Sequence, residues 1–240
     1  MTVDAVIFDW GGTLTPWHEV DFDRIWRSYA TAYDSAYGAE LNDLVRRLWE
    51  AEEAVWRRGK QEHRSGTVAE VVAEAGLDPT GEQHRRGLAA YFQAWEGHTF
   101  IDPAVPELFG RLRADGVRVG VLSNTLWPRE IHHGWFERDG VAELIDGSVY
   151  SSELEWVKPH REAFRAAMRA VEVDDPSRCV YVGDRLFEDV YGPQTLGMRA
   201  VHVPHSNIPE HQRGHTEGEP DAVIQGLHEL YPIVLNWRAS

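Results

Sequence analysis

Ile7-Phe8-Asp9-Trp10-Gly11-Gly12-Thr13-Leu14-Thr15 is the stretch whose reading decides the fold. An apolar run, residues 5–8, ends in a lone carboxylate, Asp9. The Gly11-Gly12 pair then lets the backbone turn sharply, and the hydroxyl of Thr13 follows. A strand, an acidic residue and a tight turn together present a carboxylate at the C-terminal edge of a parallel sheet, where open α/β folds bind their ligands.

Working outward, strand-like apolar runs recur at 117–122, 149–150, 179–182 and 200–203. Helical periods separate them. One stripe carries Val105, Leu108, Phe109 and Leu112, and a second carries Phe164, Ala167 and Met168 after Lys158-Pro159. A third carries Val223, Leu227 and Leu230. Strand alternating with helix predicts an α/β fold, a Rossmann-like doubly wound parallel sheet. Residues 17–95 break the alternation, because only the helical period occurs there. Phe22, Ile25, Trp26, Tyr29, Ala30, Tyr33 and Tyr37 form a first helix that Gly38 can end. Leu41, Leu44, Val45, Leu48, Ala51, Val55 and Trp56 form a second, stopped by Gly59. Thr67 can cap a third, ended by Gly76, and Leu88, Tyr91, Phe92 and Trp95 suggest a fourth. The expected organisation is a core of residues 1–16 and 97–240, with an all-helical cap subdomain, 17–96, inserted after the first strand.

Composition bounds the function. The 240 residues carry a formal net charge of -15, which argues against nucleic acid as a partner. A hydrophobic content of 42% supports a sizeable core, and ten tryptophans read mainly as core or subdomain packing. The single cysteine, Cys179, excludes an intramolecular disulfide and reads as a small buried hydrophobe. The N-terminal apolar run is short and interrupted by Asp4 and Asp9, unlike a signal peptide. No apolar stretch approaches the about 20 residues that a membrane helix needs. The expectation is a soluble cytoplasmic protein with no membrane partner. His205, His211 and His215 fall in a polar stretch, 205–220, that reads as a loop.

Three further pieces fall where a parallel sheet places ligands: Leu122-Ser123-Asn124-Thr125, Val157-Lys158-Pro159, and Val182-Gly183-Asp184-Arg185-Leu186-Phe187-Glu188-Asp189. With the Asp9 motif, in this order and spacing, they resemble the haloacid dehalogenase-like hydrolase superfamily over essentially the whole chain. The helical insertion resembles that superfamily's C1-type cap. The resemblance implies a magnesium ion and phosphoryl transfer to a small phosphorylated metabolite through an aspartyl intermediate. It implies that Asp9 is the nucleophile and that Lys158 stabilises the transferring group. Ser123, Asn124 and Lys158 would bind the phosphoryl oxygens. Asp9, Asp184, the carbonyl of Gly11 and Asp189, directly or through a neighbour, would hold the metal. The chemistry is coherent: a hard cation and an ammonium offset the repulsion between an anionic ester and a carboxylate nucleophile. The Gly183-Asp184 to Asp189 pattern is the metal-binding version, which disfavours dehalogenation.

One position departs from the pattern. The superfamily's phosphatases place an aspartate two residues after the nucleophile, to protonate the leaving oxygen and then activate water. This chain has Gly11. Loss of a positioned general acid–base costs about 10²–10⁴ in rate, and least for leaving groups that depart readily as anions. Three readings stay open. The first is a phosphatase whose proton transfer comes from Glu188, His18, a cap side chain or the substrate. The second is a carbon–phosphorus hydrolase resembling phosphonoacetaldehyde hydrolases, with Lys60 as the cap's only lysine. The third is a phospho-ligand binder without catalysis. Cap arginines 24, 27, 46, 47, 57, 58 and 64 are possible anion contacts, and Trp10 and Trp17 flank the expected entrance.

Overall fold

The apolar run Ala5–Phe8 is strand β1, and all four residues are buried. Alternate side chains leave opposite faces of a strand, so both faces of this one are covered. Val6 and Phe8 join a cluster with Val119, Val121, Val180 and Val182 of neighbouring strands, while Ala5 and Ile7 join another with Leu122, Phe164 and Tyr181. The structure is a computed structural model and describes residues 2–16, 19–34, 38, 40–204 and 218–239. Trp17, His18, Tyr37 and the histidines of the 205–217 stretch lie outside the described residues.

After β1 come helices α1 (Phe22–Tyr33), α2 (Leu41–Glu62), α3 (Val68–Glu74) and α4 (Glu82–Trp95). The chain continues through α5 (Val105–Ala114), β2 (Arg118–Ser123), α6 (Arg129–Arg138), β3 (Gly147–Tyr150), α7 (Arg161–Ala170) and β4 (Cys179–Gly183). A π-type turn, Leu186–Tyr191, runs into the single turn α8 (Gly192–Gln194). Strands β5 (Arg199–His202) and β6 (Ala222–Val223) and helix α9 (Leu230–Ala239) complete the chain. Among the described residues six strands pair in parallel in the order β3-β2-β1-β4-β5-β6. Helices α5 and α9 cover one face and α7 the other, which makes the sheet doubly wound, as the sequence predicts. Strand β1 lies between β2 and β4, so the loops after these three strands meet at one place.

Helices α1–α4 bury their own cluster, including Trp26, Tyr29, Leu44, Leu48, Val71 and Tyr91. The two connections to the sheet run side by side, because Asp102 N donates to Leu14 O at 2.7 Å. The helical unit also touches the core through the turn between α2 and α3. Val157 N donates to His63 O at 2.9 Å and Ser65 N to Glu155 O at 3.1 Å, around an antiparallel bridge of Arg64 with Trp156. Ser65 Oγ donates to Leu154 O, and Arg64 pairs with Glu155 at 3.3 Å.

Two sequence expectations need correction. Helix α2 does not stop at Gly59 but continues to Glu62, and His63 ends it in the left-handed region at φ 55°. Gly59 serves a close approach instead, since a Cβ there would lie 3.3 Å from Arg64 O. Val223, Leu227 and Leu230 do not share a helix. Val223 belongs to the edge strand β6, Leu227 to a 3₁₀ turn, and α9 begins at Leu230. Sheet pairing with β5 overrides the weak helical period there.

Candidate active site

Strand pairing brings the distant motifs together. Phe8 is in register with Val121 of β2 and Val182 of β4, so Asp9 emerges level with Leu122 and Gly183, one step before Ser123 and Asp184. Asp9 N donates to Val182 O at 2.9 Å, which carries the β1–β4 pairing one residue further, to Asp9. The chain then turns. The amides of Thr13 and Thr15 both donate to Trp10 O, at 3.4 and 3.0 Å, and Gly12 takes φ +82°, which its lack of a Cβ permits. Gly11 is under no such constraint. Its φ is not left-handed and a Cβ would meet nothing within 4 Å. Neither crowding at a Cβ nor backbone strain therefore requires a glycine here.

Lys158 reaches Asp9 from 149 residues away. Its Nζ donates to Asp9 Oδ1 at 2.8 Å, Asp189 Oδ1 at 2.7 Å and Tyr181 Oη at 2.9 Å, which uses all three ammonium hydrogens. Tyr181 in turn donates to Leu122 O at 2.8 Å. The lysine backbone is clamped by Asn124: Lys158 N donates to Asn124 Oδ1 at 2.8 Å, and Asn124 Nδ2 donates back to Lys158 O at 3.1 Å. The Asn124 amide thus holds the Lys158 backbone through its oxygen and one of its two N–H groups. Ser123 is buried at the end of β2.

Asp189 is fully buried. Its Oδ2 accepts from Arg185 N at 2.9 Å, and it rests against Gly183, where a Cβ would lie 2.3 Å from its carboxyl carbon. Asp184 is also buried, yet neither carboxylate oxygen accepts a hydrogen bond; Arg185 Nε lies 3.2 Å from Oδ2, within ion-pair range but not aligned to donate.

The electrostatics are strained. Burial pushes the Asp9 carboxyl up to about 6, against the lowering effect of Lys158. Burial and then the Asp9 charge hold Asp184 well above the usual carboxylate range. Burial alone would lower Lys158, but Asp189 and Asp9 more than offset it and hold the ammonium well above its ordinary value. Three carboxylates against one buried ammonium leave an excess of negative charge. One ligand atom each from Asp9, Asp184 and Asp189 falls within 4.8 Å of the others. An all-oxygen donor set, excess negative charge and unsatisfied Asp184 oxygens fit a hard divalent cation.

Among other residues singled out by sequence, Trp10 is packed rather than open, stacked on Trp135 at 5.5 Å and 13°. Arg27, Arg46 and Arg58 pair with Asp23, Asp43 and Glu74 on the helical surface. Lys60 is exposed on α2. Sequence reasoning missed Tyr181, which looks like one more core residue in an apolar strand. It also missed the contribution of Gly183 as the seat of Asp189.

A family model for haloacid dehalogenase-like hydrolases matches residues 3–197. Glyceraldehyde 3-phosphate phosphatase of Methanopyrus kandleri is 25% identical over 238 residues, covering 97% of each chain. Among solved structures, a HAD phosphatase from Thermococcus onnurineus superposes with a TM-score of 0.66 at 21% identity, covering 97% of this chain and 98% of that one. A 2-haloacid dehalogenase from Pseudomonas syringae pv. Tomato superposes at 0.64 with 23% identity, over 98% of this chain and 100% of the other. At these identities the two structures speak to the fold.

Proposed function

From the premise that the chain belongs to the haloacid dehalogenase-like hydrolases, we propose that it is a magnesium-dependent phosphatase of small phosphorylated metabolites. The observation that carries this reading is the buried constellation of Asp9, Lys158, Asp184 and Asp189 at the edge of β1 and β4. Residues 1–16 and 97–240 would form the core, with 17–96 as its cap. The name of the Methanopyrus relative supports a phosphate ester of a small carbon compound.

Asp9, Asp184, the carbonyl of Gly11 and Asp189, directly or through a neighbour, would hold the cation. When bound, it supplies positive charge that offsets repulsion between the ester and Asp9. Asp9 attacks phosphorus, which forms an aspartyl phosphate and divides one hard displacement into two easier ones. Lys158 orients the attacking carboxylate through Oδ1 and places its charge beside the transferring oxygens. Asn124 and Tyr181 keep that ammonium in place, and Ser123 and Asn124 would donate to the phosphoryl oxygens. The exposed position of Lys60 gives no support to a Schiff-base mechanism for carbon–phosphorus cleavage.

The test is phosphate release from 4-nitrophenyl phosphate and glyceraldehyde 3-phosphate, with and without magnesium. The wild type should release phosphate only with the cation, and Asp9→Asn should release none. Metal-independent release, or release that survives Asp9→Asn, would overturn the reading.

A further inference from the structure

Gly11 leaves the proposed reaction without its proton carrier, and the geometry shows where one can come from. In an in-line displacement the leaving oxygen lies opposite the attacking Asp9. That side faces away from the sheet edge, toward whatever covers it. The α2–α3 turn of the helical unit is joined to the segment that leads into Lys158. Val157 N donates to His63 O at 2.9 Å, so His63 is held one residue from the catalytic lysine's own backbone. The imidazole lies 6.4 Å, centroid to centroid, from Phe187, three residues after Asp184. It is thus bracketed by the two segments that deliver Lys158 and Asp184.

Two features mark this histidine as more than a helix end. It is one of two non-glycine residues with positive φ among those described, at φ 55°, a conformation that a glycine would adopt without strain. Its Nδ1 is buried and has no hydrogen-bond partner, which is costly unless a ligand or water completes it. The titratable side chain facing it is His160, from the segment after Lys158; Arg64 beside it is turned to Glu155 and over the Trp156 ring, 5.1 Å from its centroid.

We propose that His63 is the acid–base residue of this enzyme, acting in place of the missing aspartate at position 11. The assignment rests on the phosphatase reading above. As the bond from Asp9 to phosphorus forms, the ester P–O bond breaks, its electron pair goes to the leaving oxygen, and the His63 imidazolium passes a proton to that oxygen. The neutral imidazole then takes a proton from the water that attacks phosphorus in the aspartyl phosphate. That step frees the Asp9 carboxylate, releases inorganic phosphate and restores the imidazolium. Burial and His160 lower the His63 pKa, which makes its imidazolium a stronger acid but the less populated form near neutral pH.

The test separates proton transfer from folding. His63→Asn keeps a residue that tolerates the left-handed conformation but cannot carry the proton. Its kcat/KM should fall about 10²-fold or more on glyceraldehyde 3-phosphate, whose alkoxide needs protonation, and only a few-fold on 4-nitrophenyl phosphate. Adding Gly11→Asp to His63→Asn should recover most of the lost rate on the alkyl ester, because a Cβ at position 11 meets nothing within 4 Å. Thermal melting should show both variants folded. An equal loss on the two esters, or no loss on either, would sink the role of His63 while Asp9-dependent hydrolysis left the phosphatase reading standing. A selective loss in Glu188→Gln but not in His63→Asn would also overturn it. A wild type that hydrolyses neither ester would remove both.

Discussion

A Cβ placed at Gly183 would lie 2.3 Å from the Asp189 carboxyl carbon. The missing methyl is where Asp189 sits, and Asp189 in turn fixes the Lys158 ammonium at 2.7 Å. Gly183→Ala should push Asp189 aside, cost about 1–3 kcal/mol by overpacking, and lower kcat through a displaced Lys158. Urea unfolding and steady-state kinetics would check both, and a fully active, fully stable variant would contradict this account. At this scale the sequence was partly legible. Asp9, Lys158, Asp184 and Asp189 announce themselves because an acidic or basic residue at a strand end stands out from apolar surroundings. Tyr181 and His63 do not. One hides in an apolar strand, and the other lies at a helix end whose position beside Val157 depends on tertiary packing.

Helix α2 carries a carboxylate into the interior of the helical unit. Glu52 is buried and accepts from Trp26 Nε1 at 2.6 Å and Trp56 Nε1 at 3.4 Å. Burial raises its pKa from the ordinary 4.5, against the lowering effect of the two indoles. A carboxyl with a raised folded pKa stabilises the fold fully below its unfolded pKa, and that stability is lost as pH rises through the folded value. Glu52→Gln keeps an acceptor for Trp26 and removes the charge. It should therefore melt higher than wild type at neutral pH, with the advantage shrinking toward pH 4.5. A constant difference across that range would contradict the assignment. In α3, Thr67 and Glu70 form a reciprocal capping box, foreseen from Thr67 alone. Thr67→Ala should cost about 1 kcal/mol, read as a lower denaturant midpoint. The element boundaries that sequence misjudged, at Gly59 and at Val223, are places where a neighbouring backbone decides: the returning Arg64 carbonyl and the edge of β5. Periodicity within one segment contains no information about either neighbour.

Across the whole molecule, the sheet order concentrates negative charge at one edge. Without a cation, the Asp9 carboxyl, raised from 3.8 to about 6 by burial, should stabilise the fold below its unfolded pKa and withdraw that stability as pH climbs through 6. Magnesium should act in the opposite sense, binding more tightly as the carboxylates lose their protons. Melting in chelator should therefore decline between about pH 4 and pH 7 relative to Asp9→Asn, while saturating magnesium should raise the midpoint near neutrality, by about 2.7 kcal/mol of stability at a hundredfold excess over Kd. No magnesium shift at any pH would argue against a cation at these residues. The overall architecture was largely legible, because strands buried on both faces read as short apolar runs and an insertion of pure helical period interrupts them only once.

The pairing of residues 63–65 with 154–157 has one more consequence. Its main-chain bonds tie the α2–α3 turn, and His63 with it, to the segment that leads into Lys158. On the His63 assignment, a molecule with this seam parted admits its ester but has no proton to give, and one with the seam formed reacts only with what it has already enclosed. Selectivity then becomes a matter of timing as much as of fit. A compound too bulky to let the seam re-form can visit Asp9 and leave unchanged, whatever its phosphate group offers.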